Sequence, residues 1–349
     1  MLERKRQRKY IKILLILAGL LIAAILVSFT LGRFPIAPPQ LFAAIREKLA
    51  ARFPRLLSGW ARGDVSAQTL AILFNVRLPR IILACMVGCC LSSAGAAYQG
   101  VFQNPMAAPD ILGASSGAAT GAALAILLEL SGRMVMLFAF GASLITIALV
   151  MFISRVARGS KLLRIILAGI MISSLCNAGT SFIKLVADPN NILPEITYWM
   201  MGSVAKTKPA DVWFAALPMA VGLIPLLLLR WRINLLTLSD NEARTMGVNV
   251  SRVRITVIIC ATLVTAASVS VSGLIGWVGL VVPHLARRLV GNNYRYLLPV
   301  SMVGGALFLL IVDNVSRNLL LTEIPIGILT SVIGAPFFIW MIARRGESL

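Results

Sequence analysis

The sequence predicts an all-α integral membrane protein with about ten transmembrane helices. Of its 349 residues, 58% are hydrophobic and 13% are charged, and the mean hydropathy is +0.88. Soluble globular proteins have roughly 45–50% apolar and about 25% charged residues, so one soluble domain is excluded, as is intrinsic disorder. Long uncharged segments recur along the chain. Basic residues fall between them, where cytoplasmic loops and lipid headgroups would place them.

Each of ten segments is long and apolar enough to cross a membrane, which takes a helix of about 20 residues. The first follows a basic head. Its apolar run is too long for a signal-peptide core and no cleavage site is clear, so we predict a retained span. A polar stretch over about residues 33–68 follows as an external loop. The predicted spans are residues 13–31, 81–101 (extending back towards 71), 111–128, 134–154, 165–185, 212–229, 255–272, 276–290, 297–312 and 324–343.

The distribution of basic residues predicts the orientation of the spans. An even number of spans places both termini on one side, and with the termini inside, twenty of the 33 Lys and Arg residues are inside. This agrees with the positive-inside rule, although the first external stretch is itself rich in basic residues. Membrane topology therefore explains the net charge of +20, and membrane lipid rather than nucleic acid is the expected contact.

The interiors of the predicted spans are nearly free of ionisable groups. Asp110, Glu129 and Asp313 all lie at predicted ends. An ion-coupled carrier usually holds its coupling ion with carboxylates or His near the membrane midplane, so this pattern argues against one. An ion-coupled secondary carrier without an ATPase is kept as the alternative. The spans contain no embedded pair of nucleophile and base, so we predict no catalytic residues.

Neither a metal site nor a nucleotide site is indicated. The five cysteines lie in apolar stretches without Cys-x-x-Cys spacing near a histidine, and His284 is the only histidine. The chain has no Gly-x-x-x-x-Gly-Lys-Ser/Thr motif. We therefore expect this chain to bind no cofactor. If transport is driven by ATP, the ATPase is another polypeptide.

The polar segment between the sixth and seventh spans is a candidate contact site. Ser239 or Asp240 can cap a short helix, Glu242 suits the positive N-terminal end of that helix, and Gly247 is a natural stop. Apolar side chains lie on one face of this helix. Position alone leaves two interpretations open: an interfacial helix that rests on lipid, or a protrusion that binds a cytoplasmic partner.

Five blocks of sequence, read together, resemble the permease family of bacterial iron-siderophore, haem and cobalamin ABC importers. They occur in family order from about residue 70 to 340. The blocks are Arg-Leu-Pro-Arg at 77–80 with 95–113, Tyr-Trp-Met-Met-Gly-Ser at 198–203, the segment 239–248, Gly-Leu-Ile-Gly-Trp-Val-Gly at 273–279 running on to 287, and Glu-Ile-Pro-Ile-Gly at 323–327 with Gly-Ala-Pro-Phe-Phe at 334–338.

The resemblance implies the fold of a type II importer permease, with residues 1–349 as one transmembrane permease domain. The implied cargo is a metal chelate moved into the cytoplasm, a ferric siderophore or haem first and cobalamin second. The implied partners are a second permease copy, two cytoplasmic ATPase subunits that bind ATP and Mg²⁺, and an extracytoplasmic substrate-binding protein. The chain would be a transport subunit rather than an enzyme, in a bacterial cytoplasmic (inner) membrane with both termini in the cytoplasm.

The resemblance also implies roles for particular residues. It favours the partner interpretation of the polar segment, since the matching loop in the family forms the coupling helices that fit a cleft in the ATPase. External arginines would pair with carboxylates of the binding protein; for Arg77 and Arg80 the alternative is snorkelling to the membrane interface. The start of the fifth span matches the cytoplasmic gate region. The predicted coupling residues are Ser239, Asp240, Glu242, Ala243, Arg244, Met246 and Gly247, the docking residues are Arg77, Arg80 and Arg317, and the gate residues are Leu162 and Leu163.

Overall fold

The structure is a computed structural model that describes residues 2–32, 34–52, 65–156, 158, 160–237 and 249–345. Every regular element in these ranges is helical. The helices are α1 (Leu2–Thr30), α2 (Pro38–Arg52), α3 (Ala67–Ala71), α4 (Leu78–Val101), α5 (Ala114–Leu127), α6 (Gly132–Val156), α7 (Lys161–Val186), α8 (Ile192–Met200), α9 (Pro209–Leu236), α10 (Val250–Ser272), α11 (Val278–Val290), α12 (Tyr294–Asn318) and α13 (Ile326–Arg345). A π-helical segment, Ile72–Arg77, joins α3 to α4 without a break.

The predicted all-α membrane fold is confirmed. In the described ranges, seven helices are long and apolar enough to cross a membrane. The shorter α5, α11 and α13 coincide with the remaining predicted spans, which is consistent with about ten crossings. The main difference lies in the predicted external stretch, where α2 forms and the next helix already begins at Ala67. The composition of that stretch is too polar for a span, but a helix that does not cross the membrane has no such requirement.

Contacts between distant residues define the two ends of the bundle. At one end, Tyr10 packs on Tyr296, and Gln103 Nε2 donates to the Leu236 carbonyl at 2.8 Å. This end carries the start of α1, and we call it the terminus face. At the other end, the Gly327 amide donates to the Met201 carbonyl at 3.2 Å. We call this end the opposite face.

Helix α4 is the centre of the bundle. It packs against α9, α10, α11 and α12, and nearly every residue from Val87 to Val101 is buried. Glycines allow these close contacts, since a Cβ at Gly88 or Gly95 would overlap a backbone carbonyl of α12 or α11. Helices α5, α6 and α7 form a second group that α10 joins to the first.

The chain breaks between α10 and α11 at the opposite face, as the two glycines in that region predict. Gly273 ends α10 with φ of +67°, and Trp277 precedes α11 with φ of +68°. Gly334 of α13 packs directly against the Trp277 side chain. A Cβ at Gly334 would overlap that side chain, so only glycine fits there. The break therefore positions α13 against α11.

Candidate functional site

The three arginines predicted for docking lie close together near the opposite face, and all are buried. Arg77, Arg80 and Arg317 are 5%, 5% and 6% exposed. The side chains of Arg77 and Arg80 are covered by other residues of the chain. We call these arginines, together with Asp313 and Glu323, the arginine cluster.

Arg80 is held by two carboxylates from distant parts of the chain. Its Nη2 lies 2.9 Å from Asp313 Oδ1, and its Nε donates to the same oxygen at 3.0 Å. Its Nη1 lies 2.9 Å from Glu323 Oε2. The Asp313 side chain is fully buried, whereas that of Glu323 is 27% exposed. Glu323 is therefore the carboxylate of the pair that an external group can reach.

The other two arginines join neighbouring segments to the same cluster. Arg317 Nε lies 3.4 Å from Asp313 Oδ2, and Arg317 Nη2 donates to Ser28 Oγ of α1 at 2.5 Å. Arg77 donates to the backbone carbonyls of Phe29, in the last turn of α1, and Phe34, in the segment that follows α1. The cluster thus connects α1, α4, α12 and the segment before α13.

The helix that carries Asp313 is longer than the predicted span. That span ends at residue 312, whereas α12 continues to Asn318, so that Asp313 lies inside the helix. A buried carboxylate is tolerated there because two guanidinium groups compensate its charge. The spacing of Asp313 and Arg317, four residues apart on one helix, is the local signal that could have indicated the pair.

The predicted coupling segment lies outside the described residues, since these stop at 237 and resume at 249. Its flanks are described and are fixed at the terminus face. Asn234 Oδ1 accepts a hydrogen bond from the Tyr294 amide at 2.8 Å, and Asn234 Nδ2 donates to Asn293 Oδ1 at 3.0 Å. Asn249 caps α10 by accepting from the Arg252 amide at 3.0 Å. The segment therefore leaves and re-enters the bundle next to the junction of α11 and α12.

The predicted gate residues lie in the first turn of α7. Leu162 is partly buried against the main core, and Leu163 is 53% exposed. In the described part of the chain, no group of three or more His, Cys, Asp or Glu side chains is arranged to hold a metal ion. His284 is buried and packs on the rings of Phe337 and Phe338.

Comparison with known proteins extends these observations. Residues 20–344 match the model of the FecCD transport family. The molybdate import system permease protein MolB of Haemophilus influenzae is 39% identical over 333 residues, covering 94% of each chain. A probable iron chelatin transport system permease protein of Helicobacter pylori is 42% identical over 273 residues, covering 78% of this chain and 82% of that protein. An inward-facing metal-chelate type ABC transporter has a TM-score of 0.84 at 36% identity, with 95% and 99% of the two chains covered. These matches do not favour the ion-coupled carrier.

Proposed function

This chain belongs to the FecCD transport family, and from that premise we propose that it is the permease subunit of an ATP-driven importer for a metal chelate. The resemblance indicated by the five sequence blocks is thereby confirmed. The observation that carries the proposal is the family match over residues 20–344, which includes nine-tenths of the chain and all of the helices that form the core.

We propose that the working assembly contains two copies of this chain, two cytoplasmic ATPase subunits and an extracytoplasmic substrate-binding protein. ATP and Mg²⁺ would be bound by the ATPase subunits, and this chain would hold no cofactor. The terminus face would be the cytoplasmic side of a bacterial inner membrane. The excess of Lys and Arg in the segments on that side supports this orientation.

The predicted coupling segment would transmit movement from the ATPase to the bundle. The position of its flanking helices supports this proposal. The end of α9 and the start of α10 flank the segment at the terminus face, and Asn234 joins the end of α9 to the start of α12 by hydrogen bonds. A displacement of the segment would therefore move α9, α10 and α12 together. The gate formed by Leu162 and Leu163 would lie at the same face and close by excluding water.

The arginine cluster would receive the binding protein on the opposite face. Because Arg80 is already paired, a carboxylate of the binding protein would reach it by replacing Glu323, the exposed partner. Glu323 lies three residues before α13, and Ser316 Oγ donates to the Ile324 carbonyl at 2.6 Å. If Glu323 left Arg80, the residues that lead into α13 could move, while Asp313 would keep Arg80 in place. Docking would thus act on one transmembrane helix directly.

For the cargo we propose a ferric siderophore or haem, with cobalamin as the second candidate. The matches do not separate cargo classes by identity, since an iron chelatin permease at 42% and a molybdate permease at 39% are nearly equal. The chemistry retained by the partner binding protein on purification would identify the cargo. A tetrahedral oxyanion in that protein, rather than a metal chelate, would overturn the chelate assignment.

Uptake in proteoliposomes tests the importer itself. The chain is reconstituted with its cognate ATPase and binding protein, and cargo uptake is followed with ATP on the ATPase side. We expect uptake that requires ATP, is blocked by vanadate and survives a protonophore. Uptake by the chain without an ATPase, abolished by the protonophore, would instead establish the ion-coupled carrier.

A further inference from the structure

A cavity of about 580 Å³ lies at the opposite face and shares no lining residue with the arginine cluster. Its walls come from the start of α6, the exposed side of α8, the start of α9 and the end of α10. Nothing in the proposed transport cycle uses it. Its lining includes charged and hydroxyl side chains, which can pair with a polar ligand.

The charges around this cavity favour an anion. Arg133, Lys206 and Lys208 line it, with two carboxylates, Glu195 and Asp211. Asp211 is partly engaged, because its Oδ2 accepts the Lys208 amide at 2.7 Å and so caps α9. In the described ranges, none of the three basic side chains has a carboxylate oxygen within 4.0 Å. The lining therefore has a net charge of +1, with cationic groups available to a ligand.

Uncharged groups add to the same preference. Helix α6 begins in the cavity at Gly132, where open space surrounds the position of a Cβ, and the N-terminal end of this long helix favours negative charge. Ser203 Oγ accepts the Ala205 amide at 3.1 Å, which leaves its hydroxyl proton for a ligand oxygen. The Lys206 ammonium lies 5.9 Å from the centre of the Tyr198 ring. These groups suit an oxyanion with several acceptor oxygens.

The surroundings of the cavity are those of a membrane boundary. Trp213, one turn into α9, is 78% exposed, and Leu217 one turn further is 72% exposed. Exposed tryptophan is typical of the headgroup level, and exposed leucine below it is typical of acyl-chain contact. Phe140 of α6 and Phe214 of α9 pack edge to face, which brings these two helices into contact beside the cavity. A headgroup in the cavity would therefore place its chains along the exposed side of α9.

We propose that this cavity binds a phosphate-type oxyanion, presented by an anionic phospholipid headgroup such as that of phosphatidylglycerol or as a free tetrahedral anion. Lys206, Lys208 and Arg133 supply the charge, and Ser203 and the start of α6 supply further hydrogen bonds. The proposal does not depend on the cargo or on the ATPase. Its failure is therefore distinguishable from failure of the importer function.

Binding to the full-length chain in mild detergent tests this site. Native mass spectrometry compares phosphatidylglycerol with zwitterionic phosphatidylcholine, and a thermal-shift titration with inorganic phosphate tests the free anion. The cavity variant is K206Q/K208Q. The control variant is K48Q/K184Q, which removes the same charge at the opposite face from residues that do not line the cavity.

We expect the intact chain to prefer the anionic ligand and the cavity variant to bind it about thirty-fold more weakly, since each of the two lysines removed contributes about 1 kcal/mol near an anionic lipid surface. The control variant should bind as the intact chain does. A loss seen with phosphatidylglycerol identifies a lipid site, and a loss seen with inorganic phosphate identifies a free-anion site. No anion preference with either ligand, or equal losses in the two variants, would overturn the proposal.

Discussion

The two ends of the bundle hold their helices together by different chemistry. At the opposite face, the arginine cluster buries three guanidinium groups and the Asp313 carboxylate, with Glu323 partly exposed at its edge. At the terminus face, Asn234 hydrogen-bonds to Asn293 and to the Tyr294 amide, and Arg287 Nη2 donates to the Tyr294 hydroxyl at 3.2 Å. One end depends on ion pairs between buried charges, and the contacts of this junction at the other end are hydrogen bonds.

This difference bears on how each end can respond to a partner. A buried ion pair tolerates removal of one member poorly, yet an incoming carboxylate can exchange for an existing one at little net cost. The opposite face is therefore suited to a partner that brings charge. The hydrogen-bonded junction of Asn234, Asn293 and Tyr294 transmits displacement without such exchange, which suits the terminus face to a partner that moves the helices mechanically. The following predictions test whether the two ends differ in this way.

The largest effect is expected at the centre of the arginine cluster. Asp313→Asn removes the carboxylate shared by Arg80 and Arg317 and leaves buried charge uncompensated, which costs about 3–5 kcal/mol. The free energy of unfolding in mild detergent, measured by denaturant titration, should fall by that amount. Glu323→Gln is the matched control and should cost about 1 kcal/mol, since its carboxylate is partly exposed. Equal costs for the two variants would contradict the assignment of Asp313 as the central charge.

The next effect is functional and concerns the coupling segment. Replacing Glu242 by Ala or Gly247 by Val should reduce cargo uptake and its coupling to ATP hydrolysis by about ten-fold or more, because the short helix predicted there would lose the charge that suits its N-terminal end or the glycine that ends it. Unfolding in detergent should be unchanged, since the segment lies between helices that are fixed by other residues. Full coupled activity in both variants would remove this segment from the mechanism.

The sequence predicts the helices of the core well and the arginine cluster poorly, for one physical reason. A membrane span is visible in the sequence as a long run of neighbouring apolar residues. The predicted span 255–272, for example, ends at the same residue as α10. The partners of Arg80 lie 233 and 243 positions away, and no local pattern connects them. The predicted span therefore ends just before the charged Asp313, whereas α12 continues to Asn318. The helix α2 has no counterpart among the predicted spans, because a short polar helix that does not cross the membrane leaves no long apolar run.

A smaller effect is expected for Glu323→Gln, which should strengthen docking of the binding protein while it destabilises the permease. If Glu323 occupies the position that a carboxylate of the binding protein takes, its removal should strengthen docking by about five-fold, the equivalent of about 1 kcal/mol. The same variant should lower the free energy of unfolding. Docking is measured with the detergent-solubilised permease and immobilised binding protein at low and high salt. Arg80→Gln is the control and should weaken docking.

Weaker docking in both variants would show that Glu323 itself contacts the partner. Stronger docking in Glu323→Gln that persists at high salt would argue against an exchange of charged groups, because screening should reduce it.

The smallest effect is expected at the hydrogen-bonded junction of Asn234, Asn293 and Tyr294. Asn234→Ala leaves the amide of the buried Tyr294 without its acceptor, which costs about 1–2 kcal/mol, and it loosens the end of α9 from the start of α12. Coupling of ATP hydrolysis to uptake should fall by a few-fold while docking on the other face is unchanged. Thr237→Val is the matched control, because its hydroxyl donates only within the same helix end, to the Asn234 carbonyl at 2.6 Å. If docking falls as much as coupling in Asn234→Ala, the two ends are not mechanically separate, and the contrast between charge exchange and displacement fails.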